Sequence, residues 1–345
     1  MLSFVLLNWN TAGLSQRLID SLARQTCREF ELIVVDNGSK EAFEPATPSW
    51  LRTQFLRLDR NWGFAGGMNR GIQMTEGHLI CPANSDVVFP PDFVATVLNL
   101  RLDTLPHPPG TRIGVLGGLV LIGSCHDTPI LPDTFSPSLV DAAGLALSWQ
   151  GRLVDLPSQW TLTSKPVFAV SGACPIFTRD FCEGISVDGE VYDGRYHSYC
   201  EDIDLFMRAK THGWAVVYAP SVRAYHWGSM SSGGKRRIFE KPPELQRQVF
   251  RNMTWNIMKN FTALELVLYL PLHILNVLLV ATWAAFPLSN LSLKAALRGY
   301  IRDPLRDWPW ATARRARLQV RTWYDCRLLR EMLDGGWGAR QNRKA

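Results

Sequence analysis

Cysteine is scarce and scattered. The seven in 345 residues (Cys27, Cys81, Cys125, Cys174, Cys182, Cys200 and Cys326) are odd in number and include no Cys-x-x-Cys pair, which argues against a disulfide framework and against a cysteine zinc site. The glycine spacing fits neither the P-loop nor the dinucleotide fingerprint, and no Lys-Ser/Thr follows the glycines. Residues 2–7 lack the basic region and small-residue cleavage site of a secretory signal; they read as a first strand, and the folded body is expected in the cytoplasm. Net positive charge is confined to one end. Residues 287–345 hold 13 Lys and Arg against 5 Asp and Glu, whereas residues 1–286 hold 24 against 26. A near-neutral body with a basic, tryptophan-bearing tail points away from nucleic acid and toward an anionic membrane surface.

What is present begins as β-α-β: short apolar runs at 1–9 and 30–35 flank a helical spacing at 14–24. The second strand ends in Asp36-Asn37-Gly38-Ser39, and in open α/β sheets ligands bind at that edge. Glycines 63, 66, 67 and 71 lead into a helix expected to end near Gly77; they read either as a backbone cradle for phosphates or as a tight packing turn. A strand at 78–82 delivers Asn84-Ser85-Asp86, where Asp86 is either a turn residue or a ligand for a divalent cation on a diphosphate. Residues 104–168 are punctuated by proline, with a strand at 113–122 and a hairpin at 145–154, and show no chemistry beyond the shaping of an acceptor pocket. Small residues Ser171-Gly172-Ala173 then interrupt a strand.

Glu201-Asp202-Ile203-Asp204 places three carboxylates in four positions at the head of a helical segment that Gly213 closes. They read as capping acids that complement the helix dipole or as catalytic groups. A strand at 215–218 leads on to His226, followed by a Gly/Ser loop with Lys235, Arg236 and Arg237, the composition of a lid that closes over a diphosphate.

The ordered set Val35-Asp36-Asn37-Gly38-Ser39, Asn61-Trp62-Gly63-Phe64-Ala65-Gly66-Gly67-Met68-Asn69, Asn84-Ser85-Asp86, Ser171-Gly172-Ala173 and Glu201-Asp202-Ile203-Asp204 resembles family 2 glycosyltransferases, in particular the bacterial rhamnosyltransferase and galactofuranosyltransferase-like group. The resemblance covers about residues 1–235. It implies a GT-A fold, an α/β architecture with a mostly parallel sheet and helices on both faces. It assigns Asp36 to the nucleobase or ribose, and Asn61, Gly66 and Asn69 to the nucleotide and its diphosphate. Asp86 matches the last acid of the Asp-x-Asp metal motif, Asn84 replaces the first and keeps a ribose contact, and His226 completes the metal site. Ser171, Gly172 and Ala173 are assigned to the acceptor side.

The implied reaction is inverting transfer of rhamnose or another hexose from a dTDP- or UDP-linked donor to a hydroxyl of a glycan or polyprenyl-linked glycan in cell-envelope assembly. Asp202 is the expected general base, Mg²⁺ or Mn²⁺ is expected on Asp86 and His226, Lys235 and Arg236 are auxiliary cations, and Glu201 and Asp204 orient the acceptor or cap the helix. The transferase domain is expected over 1–240 and a helical, membrane-associating region over 241–345. Within that region, residues 264–286 are long enough to span a bilayer but contain Glu265, Pro271, His273 and Asn276, so an interfacial helix on the inner face of the membrane is preferred to a buried hairpin, an oligomer contact or a span. The rival readings are a catalytically silent scaffold of the same fold, favoured by Asn84, and a nucleotidyltransferase, disfavoured because residues 8–16 contain no Lys or Arg.

Overall fold

Two runs with almost no polar break, Leu2–Asn8 (β1) and Phe30–Asp36 (β2), are buried nearly throughout, as strands covered on both faces must be. They pair in parallel in a computed structural model that describes residues 1–123, 140–156, 162–227, 238–286, 290–318 and 325–341. Thr53–Arg57 (β3) extends the parallel set beyond β2, and Leu79–Asn84 (β4) extends it on the other side of β1. Two residues, Val87–Val88 (β5), follow. Arg112–Ile122 (β6), Val140–Ala142 (β7), the small hairpin of Leu145–Leu147 (β8) and Leu153–Asp155 (β9), then Lys165–Val167 (β10), Ile176–Thr178 (β11) and Trp214–His226 (β12) complete the described strands. The large sheet runs β10-β12-β6-β11-β4-β1-β2-β3, with β5 on β12 and β7 on β6. β11 is antiparallel to both of its neighbours, while β12 is parallel to β6.

Helices lie on both faces. Leu18, Ile19 and Leu22 of α1 (Ala12–Ala23) share a core with Phe4, Leu6, Leu32 and Val34. α2 (Gly63–Ile72) packs on the opposite face, where a Cβ at Gly71 would meet the side chains of Val5 and Val35. The glycines therefore do not form a turn ahead of a helix. They lie in the helix, which ends at Ile72 rather than near Gly77, and the absence of a Cβ allows close approach to β1. Phe93–Asn99 (α3) joins the α1 side, and Arg179–Ile185 (α4) sets Phe181 against Phe177 and Trp214.

The chain divides into two compact units. Met1–Leu145, Asp155–Ser198 and Gly213–Gly234 make the sheet unit; Ala146–Val154, Tyr199–His212 and Lys235–Ala345 make the helical unit. The helical unit contains α5 (Glu201–Thr211), α6 (Pro243–Asn260), α7 (Ala263–Ala285), α8 (Leu293–Leu297), a π turn at Arg298–Arg302, α9 (Asp303–Arg306), α10 (Trp308–Leu318) and α11 (Arg327–Gln341). A Thr262/Glu265 capping box starts α7, and Phe250 and Met253 of α6 pack with Leu291, Ala296 and Tyr300.

Candidate active site

Register places the polar residues of the sheet unit. Asn8 stands opposite Asp36, and Leu7 stands opposite Asn84, so three strand ends arrive at one edge. Asp36 is fully buried: its Oδ1 accepts from Asn8 Nδ2 (3.1 Å) and the Ser39 amide (3.3 Å), and Oδ2 faces Arg57 at 3.7 Å. Asn61 Oδ1 accepts from the Gly63 amide (2.7 Å) and from Asn37 Nδ2 (3.0 Å), closing the turn into α2. Gly63 has φ +75° and sits against the His197 backbone, a conformation and a gap that only glycine suits. Buried Asn69 spends its amide on the Tyr192 main chain, donating to the carbonyl (2.7 Å) and accepting from the amide (2.9 Å). Gly66 is buried in α2 and its carbonyl accepts from Arg70. Asp36 and Asn69, expected at the nucleotide, both use side-chain polar atoms to hold the strand-end loops. Asn84 stays partly exposed; its main-chain N–H donates to the Ala173 carbonyl (2.8 Å), and the Ala173 main-chain N–H donates to Ser171 Oγ (3.3 Å). The small-residue turn at Ser171, Gly172 and Ala173 is thus seated beside Asn84 within one unit.

Asp86 and His226 meet because β5 pairs with the end of β12: Val87 is opposite His226, and the Trp227 amide donates to the Asp86 carbonyl. His226 Nε2 lies 3.3 Å from Asp86 Oδ1, and Nδ1 lies 2.8 Å from Asp141 Oδ2. Asp141 comes from the stretch that showed no chemistry in the sequence. Its partner strand advances from Val120 to Leu121 while β7 steps from Ala142 to Val140, so Asp141 is the extra residue of a bulge, and bulges re-aim side chains in this way. Burial pulls the imidazole pKa down, but hydrogen bonds and charge from Asp141 and Asp86 outweigh it and raise the pKa to about 9. A carboxylate on one ring nitrogen with the other aimed at a second carboxylate is a donor set that suits Mn²⁺ or Mg²⁺. Among the described residues no group of three or more His, Cys, Asp or Glu is arranged to hold an ion, so two protein donors would leave the remaining positions to ligand oxygens and water. Lys235 and Arg236 lie outside the described residues.

In the helical unit the chain enters α5 through Tyr199 and Cys200, at φ +66° and +67°. Left-handed backbone costs a non-glycine residue about 1–2 kcal/mol. The three carboxylates then diverge. Asp204 is fully buried and held by Arg208 Nε (2.9 Å), Lys259 Nζ (2.9 Å) and Asn260 Nδ2 (2.8 Å). Burial would raise its pKa, but the two cations and the hydrogen bonds hold it well below the usual carboxylate range. Asp204, expected to orient the acceptor or cap the helix, is an interior ion-pair centre. Glu201 is buried with Oε2 lacking a partner, and burial followed by the Asp202 charge pushes its pKa well up. Asp202 is the more exposed of the two; burial raises its pKa, and the Ile203 and Asp202 amides oppose that shift. Two adjacent carboxyls at a helix start, both raised by burial, are candidates for a proton-transfer group.

A mostly parallel sheet with helices on both faces and a polar strand-end edge is an open α/β architecture of the kind that takes ligands at that edge. The chain matches the family model described as Glycosyl transferase family 2 over residues 3–104. It is 28% identical over 245 residues to the N-acetylglucosaminyl-diphospho-decaprenol L-rhamnosyltransferase of Mycobacterium tuberculosis H37Rv, covering 63% of this chain and 73% of that protein. It is 32% identical over 102 residues to a PGL/p-HBAD biosynthesis glycosyltransferase of Mycobacterium bovis BCG, over 28% of this chain and 40% of that one. In fold it is similar to GalNAc-T7, solved with UDP, GalNAc and Mn²⁺: the TM-score is 0.54 at 14% identity, over 88% of this chain and 54% of that one. The fold is of the GT-A type.

Proposed function

We propose that the chain is an inverting, metal-assisted hexosyltransferase that moves rhamnose or another hexose from a dTDP- or UDP-linked donor to a hydroxyl of a glycan or polyprenyl-linked glycan in cell-envelope assembly. In this reading residues 1–240 carry the transfer chemistry and residues 241–345 hold the protein at the inner membrane face. The observation that carries it is the environment of Asp202, a partly exposed carboxyl at a helix start whose pKa burial raises. Its Oδ atoms take the proton from the acceptor hydroxyl as the acceptor oxygen bonds to the anomeric carbon and the bond to the diphosphate oxygen breaks on the opposite face. Asp86 and His226 would hold the cation, which supplies charge neutralisation on the leaving diphosphate. In this reading Asp36, Asn61, Gly66, Asn69 and Asn84 would serve the donor nucleotide, Lys235 and Arg236 would add positive charge, and Ser171, Gly172, Ala173 and Glu201 would serve the acceptor, with Asp204 fixing the helix that carries Asp202. The rhamnosyltransferase named above supports the sugar and the lipid-linked acceptor.

Asp202→Asn is expected to lower turnover about 10²- to 10⁴-fold, the range of general acid–base contributions, with donor-induced thermal stabilisation retained. Near-normal turnover would remove Asp202 from the role. A panel of nucleotide-sugars with and without Mn²⁺ identifies the donor. A catalytically silent scaffold, favoured by Asn84 at the first metal-motif position, predicts neither transfer nor metal-dependent donor hydrolysis in the same assays.

A further inference from the structure

α6 carries Asn252, Asn256 and Asn260 at four-residue spacing, one row along a single helix face, and all three are buried. Each amide donates to the head of α5. Asn252 Nδ2 reaches the Tyr199 carbonyl at 2.8 Å, Asn256 Nδ2 reaches the Cys200 carbonyl at 3.1 Å, and Asn260 Nδ2 reaches Asp204 Oδ1 at 2.8 Å. The first amide is itself oriented: Arg251 donates to Asn252 Oδ1 from Nε (3.1 Å) and from the guanidinium terminus (2.9 Å), which turns Nδ2 toward Tyr199. Asparagine is a mediocre helix former and contributes little to a core. Leucine at these positions would join the two helices equally well by burial. What leucine lacks is a donor for carbonyls that the left-handed turn at Tyr199 and Cys200 directs toward α6.

We propose that the row Asn252, Asn256 and Asn260 is a positioning device for Asp202. It locks the left-handed pair from which α5 starts, and so sets the direction in which the helix's first turn presents the Glu201 and Asp202 carboxyls. Asn260 registers the same helix one turn later through Asp204. The inference rests on the reading of Asp202 as the general base. None of the three asparagines touches substrate in this scheme; they act through the backbone on either side of the base.

The test replaces Asn256 by Leu, which keeps the branching and number of side-chain heavy atoms and removes the donor, and by Ala, which removes both; Asn252→Leu repeats it one rung away. Met258→Ala, a buried residue of α6 outside the row, serves as a control for destabilisation alone. Initial rates are read well below each variant's unfolding midpoint, with kcat, donor KM, nucleotide affinity and the pH profile of kcat measured separately. A misplaced base predicts that Asn256→Leu and Asn256→Ala both lose about 10- to 100-fold in kcat, with donor KM and nucleotide affinity within about twofold and the acid limb of the pH profile displaced. Met258→Ala is expected to lower the midpoint without moving kcat or that limb. If the Asn256 and Asn252 variants keep wild-type kcat and pH profile while Asp202→Asn is inactive, the positioning role is wrong and the base assignment stands. Turnover in Asp202→Asn would instead overturn the base assignment and this inference with it.

Discussion

Asp141 shows how a single residue acquires a role that its neighbours in sequence do not announce. It lies in a proline-punctuated stretch and belongs to no motif, yet the bulge in β7 sets its carboxylate 2.8 Å from His226 Nδ1. If His226 Nε2 binds the cation, Asp141 fixes the tautomer and raises the basicity of the ligand. Asp141→Asn is then expected to weaken Mn²⁺ affinity about 10- to 100-fold, measured by titrating Mn²⁺ into protein saturated with nucleoside diphosphate; unchanged affinity would detach Asp141 from the metal. Asp86 and His226 were paired through the motif resemblance, and the structure brings the two side chains to 3.3 Å. Asp141 was not legible in the sequence, because a register shift between strands leaves no signature in composition or periodicity.

The three acids of α5 are an element-scale matter. In sequence they are equivalent members of a first helical turn, and the helix dipole favours all of them. Packing against α6 separates them: Asp204 turns inward to Arg208 and Lys259, while Glu201 and Asp202 are raised by burial. Asp204→Asn is expected to cost about 3–5 kcal/mol, because it leaves the fully buried ammonium of Lys259 without its counter-charge. Adding Lys259→Met should recover part of that loss, and urea unfolding of the single and double variants measures the coupling. The sign of the pH effect follows from the depressed pKa. Asp204 contributes stability that is present above the ordinary aspartate pKa of about 3.9 and is lost as pH falls below it, so wild type should lose more stability than Asp204→Asn between pH 5 and 3. Equal loss in the two proteins would show that the pair does not carry this linkage.

At the scale of the molecule, the helical unit presents a broad apolar face. α7 is long and apolar enough to cross a membrane by length and composition. Glu265, Tyr269 and Asn276 point the other way, however. Glu265 caps the helix and accepts from the Leu328 and Leu329 amides, Asn276 donates to Tyr300, and Tyr269 donates to the Trp149 carbonyl. Leu270, Ile274, Leu275, Leu278, Leu279 and Trp283 are left exposed. A second exposed row, Leu293, Leu297, Ile301 and Leu305, runs beside exposed Lys294 and Arg302. Apolar rows with adjacent cations suit an in-plane seat on anionic lipid. Replacing Leu270, Ile274 and Leu278 by Ser should reduce co-sedimentation with phosphatidylglycerol-containing vesicles several-fold, and wild-type binding should fall with salt and on zwitterionic vesicles. Undiminished sedimentation of the triple variant would exclude this face as the anchor. Deleting residues 264–345 is a poorer test, because it removes helices that pack with α6.

Sequence alone determined the resemblance to family 2 glycosyltransferases, the β-α-β opening, the polar strand ends and the apolar stretch near the C-terminus. These follow from local order: hydrophobic period, turn residues and the succession of short motifs along the chain. Tertiary structure decided which polar groups are committed to other protein atoms. It turned Asp36, Asn69 and Asp204 into braces, recruited Asp141 through a bulge, aligned three asparagines under the head of α5, and turned the polar side of α7 inward. Each of these outcomes depends on burial and on partners far away in sequence, and a carboxyl or amide carries no mark of its eventual partner until the chain is packed.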